Sequence, residues 1–572
     1  MPVAREKTEL PLKNGKPAED DKYGKKMKTQ PHRWYSFEMG VFYIVLVFGF
    51  LTPLVMFSPV AREYCNNHPE CKRHLRKGWI QSLPVDLADN QWRQFRENIP
   101  TLLVVSLGYL IISRSVRSFR SSKAQLVWYC VSSCAYVWLL SGTGGSIMIF
   151  GIASANFFIG KMLGGSRWNP IATWVFGVAM MVLQEFYREY LTLGYLLGPS
   201  YRIYDRNGML GVHFSMYMRM VFLKMVSFNV DYYWSEVGTS GTASSWHLRQ
   251  LERFSEQERD DIAKGGGPYS WREKTARPPS DYNVMAYVAF LFYIPLMLTG
   301  PIMPFNAFVS YVHKEQKTFS ARGMAVYIAR LLFAFLLLEV FAHYFPVIAI
   351  CTSGAYKAMP PIQLAALVYI TLKTMWLKFL VLWRFFRTWA LLDGVEPVEN
   401  MNRCMSNNWT LQGFWKSWHR SFNRWLVRYI YIPLGGSQYK YITVFVVFTF
   451  VALWHDMNMK LLAWGWITGL TFLPEMLITV MFRKISTLRA LLQASYFRFI
   501  VAIGGAANIL LLMVANMVGY SVGISGTGSI ASSITWGNAL VAMYVVSCLF
   551  LGVLFMQEWR EEEKRRGILK AY

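Results

Sequence analysis

Charged residues are scarce in this chain. They make up 16% of its 572 residues, whereas a soluble domain carries about 25%. Hydrophobic residues make up 54% of the chain, and they are concentrated in long apolar runs. The length alone would suit several soluble domains. The apolar runs indicate one polytopic membrane unit instead.

Acidic residues are fewer than basic ones, so the formal net charge is +25. A charge of this size raises the question of nucleic-acid binding, but no zinc-finger or RNA-binding signature is present. The basic residues lie in the N-terminal stretch and between apolar runs, as expected beside anionic membrane leaflets. We therefore expect membrane lipids, and no nucleic acid, as partners.

Cysteine is also sparse, with seven residues and neither a CxxC pair nor an HExxH helix. This pattern predicts no metal site. Cys65 and Cys71 flank a polar loop and could form a disulfide if that loop is lumenal. Cys404 leaves open whether a group such as haem is bound. The remaining cysteines in apolar runs are interpreted as packing residues: Cys130, Cys134, Cys351 and Cys548.

The apolar runs predict an all-α, polytopic integral membrane protein. A spanning helix needs about 20 mostly apolar residues, and the runs amount to roughly ten to twelve membrane segments. The runs cover residues 39–59, 99–113, 124–140, 146–163, 172–197, 214–234, 283–309, 324–350, 362–392, 442–454, 461–482, 497–517 and 534–556.

The polar stretches divide the chain into a membrane domain and two tails. Residues 1–38 form a basic, cytosolic tail that is predicted to be disordered. Residues 39–556 form the membrane domain, which contains a polar, extramembrane loop at 235–282. Residues 557–572 form a charged C-terminal tail. Three prolines interrupt the run 283–309, which predicts a kinked or re-entrant helix buried in protein.

His455 follows the apolar run 442–454, and Asp456 comes directly after it. That run has only 13 residues, too few to cross a bilayer of about 30 Å. His455 is thus predicted to end an interfacial or partly buried helix. An ionisable side chain at membrane depth is costly and usually functional, and histidine suits proton transfer near neutral pH. A structural histidine, hydrogen-bonded to backbone, is the alternative.

His419 is the second candidate for proton transfer or substrate contact. Aromatic residues recur around it with helical spacing, and Arg420, Arg424 and Arg428 repeat every four residues. The pattern predicts a helix along the membrane surface with a basic stripe. His419 and Asn423 would share one face of that helix. A purely interfacial histidine remains the alternative.

Several strings in order resemble the membrane-bound O-acyltransferase family. They are WHRSFNRW at 418–425, YIPLGG at 431–436 and ALWHD at 452–456. SFNVDY at 227–232 and YIPL at 293–296 resemble further blocks of its fungal and protozoan glycerol-uptake branch, whose relatives include Hedgehog acyltransferase.

The resemblance implies a bundle of membrane helices, with interfacial or re-entrant helices around a tunnel, that transfers an acyl chain from acyl-CoA to an acceptor. His455 matches the near-invariant catalytic histidine of the family, and His419 matches a second polar position. The branch is associated with remodelling of glycosylphosphatidylinositol (GPI) anchors. A lipid or GPI-anchor acceptor, the endoplasmic reticulum membrane, and no cofactor besides the co-substrate acyl-CoA are therefore expected.

The residues fit this chemistry. His455 would act as general base on an acceptor hydroxyl, which contributes about 10²–10⁴-fold. His419 and Asn423 would position the acceptor or stabilise the oxyanion. The other substrate-contacting residues predicted are Arg420, Arg424, Trp454 and Asp456.

Three other functions remain open at this point. One is a glycerol transporter, although no internal repeat of the kind that transporters show is present. Another is a protein acyltransferase of the Hedgehog acyltransferase type. The third is an inactive regulator, against which the presence of His455 argues.

Overall fold

The computed structural model describes residues 33–206, 208–238, 256–263, 266–492, 494–533 and 538–567. The described residues are mostly helical, as predicted. Their sheet consists of two short antiparallel strands, β1 (Leu75–Arg76) and β2 (Val85–Asp86).

The helices of the first half are α1 (Phe37–Ile44), a π-helix (Val45–Leu51), α2 (Thr52–Asn67), α3 (Pro69–Lys72), α4 (Asn90–Glu97), α5 (Ile99–Ser118), α6 (Ser122–Leu163), α7 (Trp168–Phe186), α8 (Leu193–Leu196), α9 (Ser215–Glu236), α10 (Glu256–Ala263), α11 (Tyr269–Lys274) and α12 (Val284–Leu291).

Those of the second half are α13 (Phe305–His313), α14 (Ala321–Tyr344), α15 (Val347–Ser353), α16 (Pro361–Leu392), α17 (Leu411–Ser417), α18 (Arg420–Leu426), a second π-helix (Val427–Tyr431), α19 (Lys440–His455), α20 (Met459–Lys484), α21 (Ser486–Leu491), α22 (Phe497–Tyr520), α23 (Gly523–Ser532) and α24 (Ala539–Arg565).

Short 3-10 turns connect several of these helices: Arg188–Tyr190, Pro199–Asp205, Pro279–Asp281, Ile294–Leu296 and Ala355–Ala358.

Eight helices among the described residues are long and apolar enough to cross a membrane. They are Phe37–Asn67 (α1, the π-helix and α2), α5, α6, α14, α16, α20, α22 and α24. Helix α19 is apolar but shorter, with 16 residues. The chain is therefore a multi-pass helical membrane protein.

The remaining apolar runs do not form further membrane-spanning helices. The runs 124–140 and 146–163 are one helix, α6, with a kink at Gly142, where φ is 69°. Glycine adopts this left-handed conformation at little cost. The proline-rich run 283–309 is broken into α12, the turn Ile294–Leu296 and α13, as expected for a re-entrant segment. Helix α9 is buried in protein over most of its length.

The predicted polar loop 235–282 needs correction. Residues 239–255 and 264–265 lie outside the described part, but the rest includes α10, α11 and the turn Pro279–Asp281. Arg272 and Glu273 of α11 are both 4% exposed, so this part of the loop packs into the protein. Residues 1–32 of the predicted basic tail lie outside the described residues. Helix α24 continues to Arg565, well into the predicted C-terminal tail.

Helix α9 anchors the segment that carries His419. The Trp425 indole donates to the Leu223 carbonyl at 3.1 Å. The Arg428 guanidinium and the Tyr429 hydroxyl both donate to the buried Asp231 carboxylate, at 2.8 and 3.0 Å. A buried charge is stable only when it is paired and hydrogen-bonded, and these bonds therefore hold α18 and the second π-helix against α9.

Candidate active site

A cavity with a volume of about 520 Å³ lies inside the helical bundle. It lies between α16, the α17–α18 segment, α19, α20 and α22. One face of α19 lines it from Lys440 through Val444, Val447 and Val451 to His455. These 15 helical steps correspond to about 22 Å at 1.5 Å per residue. The cavity is therefore long and has mostly apolar walls, a shape that suits an extended hydrocarbon chain.

His455 is the last residue of α19 and lines this cavity. Its ring faces the edges of Trp464 and Tyr520, at centroid distances of 6.1 and 5.8 Å. No side chain or backbone group among the described residues is hydrogen-bonded to either ring nitrogen. Burial, reinforced by the Arg219 charge, lowers the pKa of His455 to about 4. The imidazole is thus neutral at physiological pH and has a nitrogen free to accept a proton.

His419 lines the same cavity from the opposite segment. The predicted continuous surface helix around it is wrong, because α17 ends at Ser417 and α18 begins at Arg420. His419 itself is left-handed, with φ 44° and ψ 46°. For a residue other than glycine this conformation costs about 1–3 kcal/mol and often marks a functional site.

Stacking fixes the His419 ring. It lies 4.5 Å from the Trp383 ring of α16, with only 3° between the two planes. Its nitrogens, like those of His455, have no hydrogen-bond partner in the described part of the chain. Burial, together with the influence of His455, lowers the pKa of His419 to about 3. Two neutral imidazoles therefore share one cavity.

The other predicted site residues divide into two groups. Asn423 lines the cavity with the two histidines. Trp454 does not line it; it is 7% exposed, and its indole donates to the Arg219 carbonyl at 2.9 Å. Asp456 also lies outside it, accepting from Arg219 at 3.4 Å and from Asn458.

The predicted basic stripe is not a membrane-facing or cavity-facing surface. Arg424 forms an ion pair with the buried Glu273 of α11. Arg428 pairs with Asp231, and Arg420 donates to Asn402 at 3.2 Å. None of the three lines the cavity. In the structure, the guanidinium groups of all three bond to side chains of the protein.

Arg219 is a site residue that the motifs did not single out. It donates to the His455 carbonyl and to Glu185 of α7, the latter at 2.6 Å. The Trp454 indole in turn donates to the backbone carbonyl of Arg219. Two hydrogen bonds of opposite direction therefore join Arg219 of α9 to the end of α19. The available signal was a charged residue interrupting an apolar run.

No group of three or more His, Cys, Asp or Glu within the described ranges could hold a metal ion. The polar groups that line the cavity include the two imidazoles, the amides of Asn423 and Asn516, and the charged side chains of Lys416, Lys440 and Glu475.

The fold and the cavity define a polytopic membrane protein with two imidazoles on a chain-shaped apolar chamber. The sequence model of the membrane-bound O-acyltransferase family matches residues 213–514 of this chain, which include both histidines. The chain belongs to this family. It is an acyltransferase, and dependence on acyl-CoA is general for the family.

Two yeast relatives align with nearly the whole chain, and a mouse relative aligns with about a third of it. The membrane-bound O-acyltransferase gup1 of Schizosaccharomyces pombe is 34% identical over 541 residues, covering 92% of this chain and 89% of the relative. GUP1 of Saccharomyces cerevisiae is 32% identical over 550 residues, covering 94% of each. The mouse protein-cysteine N-palmitoyltransferase HHAT is 26% identical over 186 residues, covering 31% of this chain and 37% of the relative.

Proposed function

We propose that this protein transfers a fatty acyl chain from acyl-CoA to a hydroxyl of a lyso-GPI lipid, as a step in GPI-anchor lipid remodelling. The single observation that carries the catalytic part is the pair of neutral imidazoles on one long, mostly apolar cavity, with ring nitrogens that form no hydrogen bond to the described residues. The lipid acceptor is supported by the resemblance to the glycerol-uptake branch and by the full-length similarity to GUP1 proteins.

In this proposal His455 is the general base. Its free ring nitrogen takes the proton of the acceptor hydroxyl as the oxygen attacks the thioester carbonyl carbon. The C–S bond then breaks, and the imidazolium returns the proton to the departing CoA thiolate. The new bond is an oxygen ester, and no redox step or metal is needed. We therefore propose acyl-CoA as co-substrate and no cofactor.

His419 and Asn423 hold the reacting groups. A neutral imidazole N–H or an amide N–H directed at the carbonyl oxygen stabilises the oxyanion, provided that the donor is fixed beforehand. The stacking on Trp383 and the left-handed backbone supply that fixation for His419. We propose these two residues as the oxyanion-stabilising or acceptor-orienting pair.

We place the protein in the endoplasmic reticulum membrane. Cys65 and Cys71 form a disulfide at the end of the first membrane helix, and disulfides persist in an oxidising lumen. The Lys440 end of the cavity lies on the side of the membrane opposite to this disulfide. Helix α20 runs back from the His455 end of α19 toward its Lys440 end, where Phe482 contacts Phe497. Phe497 is next to Arg498, which pairs with Glu38 at the start of the first membrane helix. Acyl-CoA would enter from that cytosolic side.

The test is acyl transfer by the purified protein in nanodiscs, with labelled long-chain acyl-CoA and either lyso-GPI or a peptide with an N-terminal cysteine. We expect label in the lyso-GPI product and a loss of about 10²–10⁴-fold in His455→Ala. His313→Ala, at a histidine that pairs with Asp281 away from the cavity, should leave the rate unchanged. Wild-type rates in His455→Ala would refute the assigned base. Label in the peptide alone would refute the lipid acceptor.

A further inference from the structure

A second cavity, of about 280 Å³, lies behind the wall of the catalytic one. The first membrane helix, α16, α22 and α24 surround it. The two cavities share Leu372, Met405, Phe414 and Asn516 in their linings. Most of the second lining is apolar, so the cavity has no place in the proton transfers at His419 and His455.

Lys373 is the charged residue that lines this second cavity. It is the thirteenth residue of the 32-residue membrane helix α16. Its ammonium donates to the Cys404 sulfur at 3.4 Å and lies 5.4 and 5.7 Å from the rings of Tyr369 and Trp376. Ion pairs within the described residues do not include Lys373. An ammonium has three donors, so two are left to face the cavity.

Lys378 on the same helix shows the usual arrangement. Its ammonium forms an ion pair with Asp89 at 2.6 Å. A cation inside a membrane protein normally has such a partner, because leaving it without a counter-charge in an apolar setting is costly. Lys373 lies between mostly apolar walls, and no carboxylate of the described residues forms an ion pair with it. The missing counter-charge is then expected from a ligand.

The cavity continues toward the lipid. A third cavity of about 310 Å³ shares Phe50, Tyr369 and Cys548 with it and extends along the first membrane helix. In the most apolar part of that helix only 6% of the residues are buried by the rest of the protein, so most of its surface is left to face lipid. A chain entering from the bilayer can therefore run between this helix and α24 to reach Lys373.

We infer that the cavity at Lys373 is a binding site for an anionic acyl lipid, with the acid group on the Lys373 ammonium and the acyl chain along the first membrane helix. The neighbouring segment is tied to the charged end of α24 by the Arg403–Glu563 pair. That end lies on the side of Glu38 and Arg498, the side assigned to the cytosol. Lys373 itself lies in the membrane interior, because Leu367 and Ile370, within two turns before it, pack in the cluster of Cys65 and Cys71 on the other side. The positive charge of Lys373, rather than the leaflet, therefore favours an anionic lipid. A free fatty acid presents the same chemistry through its carboxylate.

The experiment is native mass spectrometry of the full-length protein in detergent, supplied separately with phosphatidylserine, phosphatidylcholine or oleate at equal concentrations. We expect phosphatidylserine to be retained about tenfold or more over phosphatidylcholine, as for one charge-assisted hydrogen bond. Lys373→Met should remove the preference and Lys373→Arg should keep it. Lys161→Met is the matched control, since that lysine lies over Tyr232 in another membrane helix.

A second variant distinguishes loss of the binding site from misfolding. Leu549→Trp fills the cavity from α24 and leaves Lys373 in place, and it should also abolish lipid retention at an unchanged thermal midpoint. Retention of oleate alone would support the site and identify a fatty acid as its source. Equal retention of charged and zwitterionic lipids, or retention unaffected by both variants, would overturn the inference. So would a copurified haem whose absorption band disappears in Cys404→Ala, because the porphyrin would then occupy the cavity.

Discussion

Two histidines in this protein are set up as neutral groups rather than as charged ones. Each faces an apolar chamber, and burial lowers the pKa of both, to about 3 for His419 and about 4 for His455. A general base works only in its deprotonated form. The low pKa therefore keeps His455 available throughout the physiological range.

This makes the pH profile a test at the scale of the residue. A histidine with an ordinary pKa of about 6.5 would be about three-quarters protonated at pH 6, and a base of that kind would lose most of its activity between pH 8 and pH 6. With a pKa of about 4, we expect kcat/KM for acyl transfer to stay nearly constant over that interval and to fall only below about pH 5. A fall with a midpoint between pH 6 and pH 7 would contradict the proposed state of His455.

Arg219 provides a second test at this scale. Its guanidinium holds the His455 carbonyl and Glu185, and its charge lowers the pKa of His455. In Arg219→Gln we expect kcat to fall about 10–100-fold through misplacement of the ring, with the acidic limb of the pH profile moved to higher pH. The measurement is kcat and KM for acyl-CoA across the pH range.

The control for this prediction is Arg114→Gln. Arg114 pairs with Glu315 where both side chains are exposed, at 48% and 40%, and such pairs contribute little to stability. We expect wild-type kinetics there. A purely structural role of Arg219 would lower the amount of folded protein and leave the pH limb in place.

Helix α19 shows how a short apolar helix differs from a membrane-spanning helix. One face lines the cavity over about 22 Å, while Ile442 on another face is 69% exposed. The helix therefore forms a wall between the chamber and the surroundings, and its cavity-facing valines determine the width of the chamber.

Widening or narrowing that wall should change the acyl-chain preference. Val447→Phe adds bulk to the cavity face, and a well-filled site discriminates about 10–200-fold for each misfitting methylene. We expect kcat/KM for the longest acyl-CoA to fall at least about tenfold and that for short acyl-CoA to change little. Val446→Phe, at the neighbouring 39% exposed position, is the matched control. An equal loss for all chain lengths would argue against contact with the chain.

At the scale of the whole molecule, the charges and the disulfide define two sides. The first membrane helix begins near the Glu38–Arg498 pair and ends at the Cys65–Cys71 disulfide. Helix α16 begins beside the disulfide, so its far end, at Asp393, lies on the side of Glu38. Tyr129, near the start of α6, binds Asp393, and the basic turn between α5 and α6 therefore lies on that side too. An excess of Lys and Arg marks the cytosolic side of a membrane protein.

An inserted glycosylation acceptor tests this orientation. An N-x-T sequence with glycine spacers after Gln81, near the disulfide, should be glycosylated in microsomes, whereas the same insert after Arg120 should not. The readout is a mass shift removed by endoglycosidase. Glycosylation after Arg120 alone would invert the assigned sides, and with them the entrance for acyl-CoA.

Much of this protein was predictable from local sequence. Hydropathy identified a helical multi-pass protein, since every backbone group in a bilayer must be satisfied within the segment. The break in 283–309 follows from its prolines, and the turn after Tyr431 follows from Gly435 and Gly436, which have φ of 93° and 54°. The short run before His455 predicted a helix too short to cross, and α19 has that form.

Tertiary structure alone decided which groups meet. The sequence pattern placed Arg424 and Arg428 on a membrane-facing stripe, but Glu273 and Asp231 from distant segments pair with them. Arg219 reaches His455 across 236 positions of the chain. Periodicity records only the faces of one helix, whereas such pairings depend on how separate helices pack. The membrane class and the candidate base were thus readable from the sequence, and the chamber around that base required the fold.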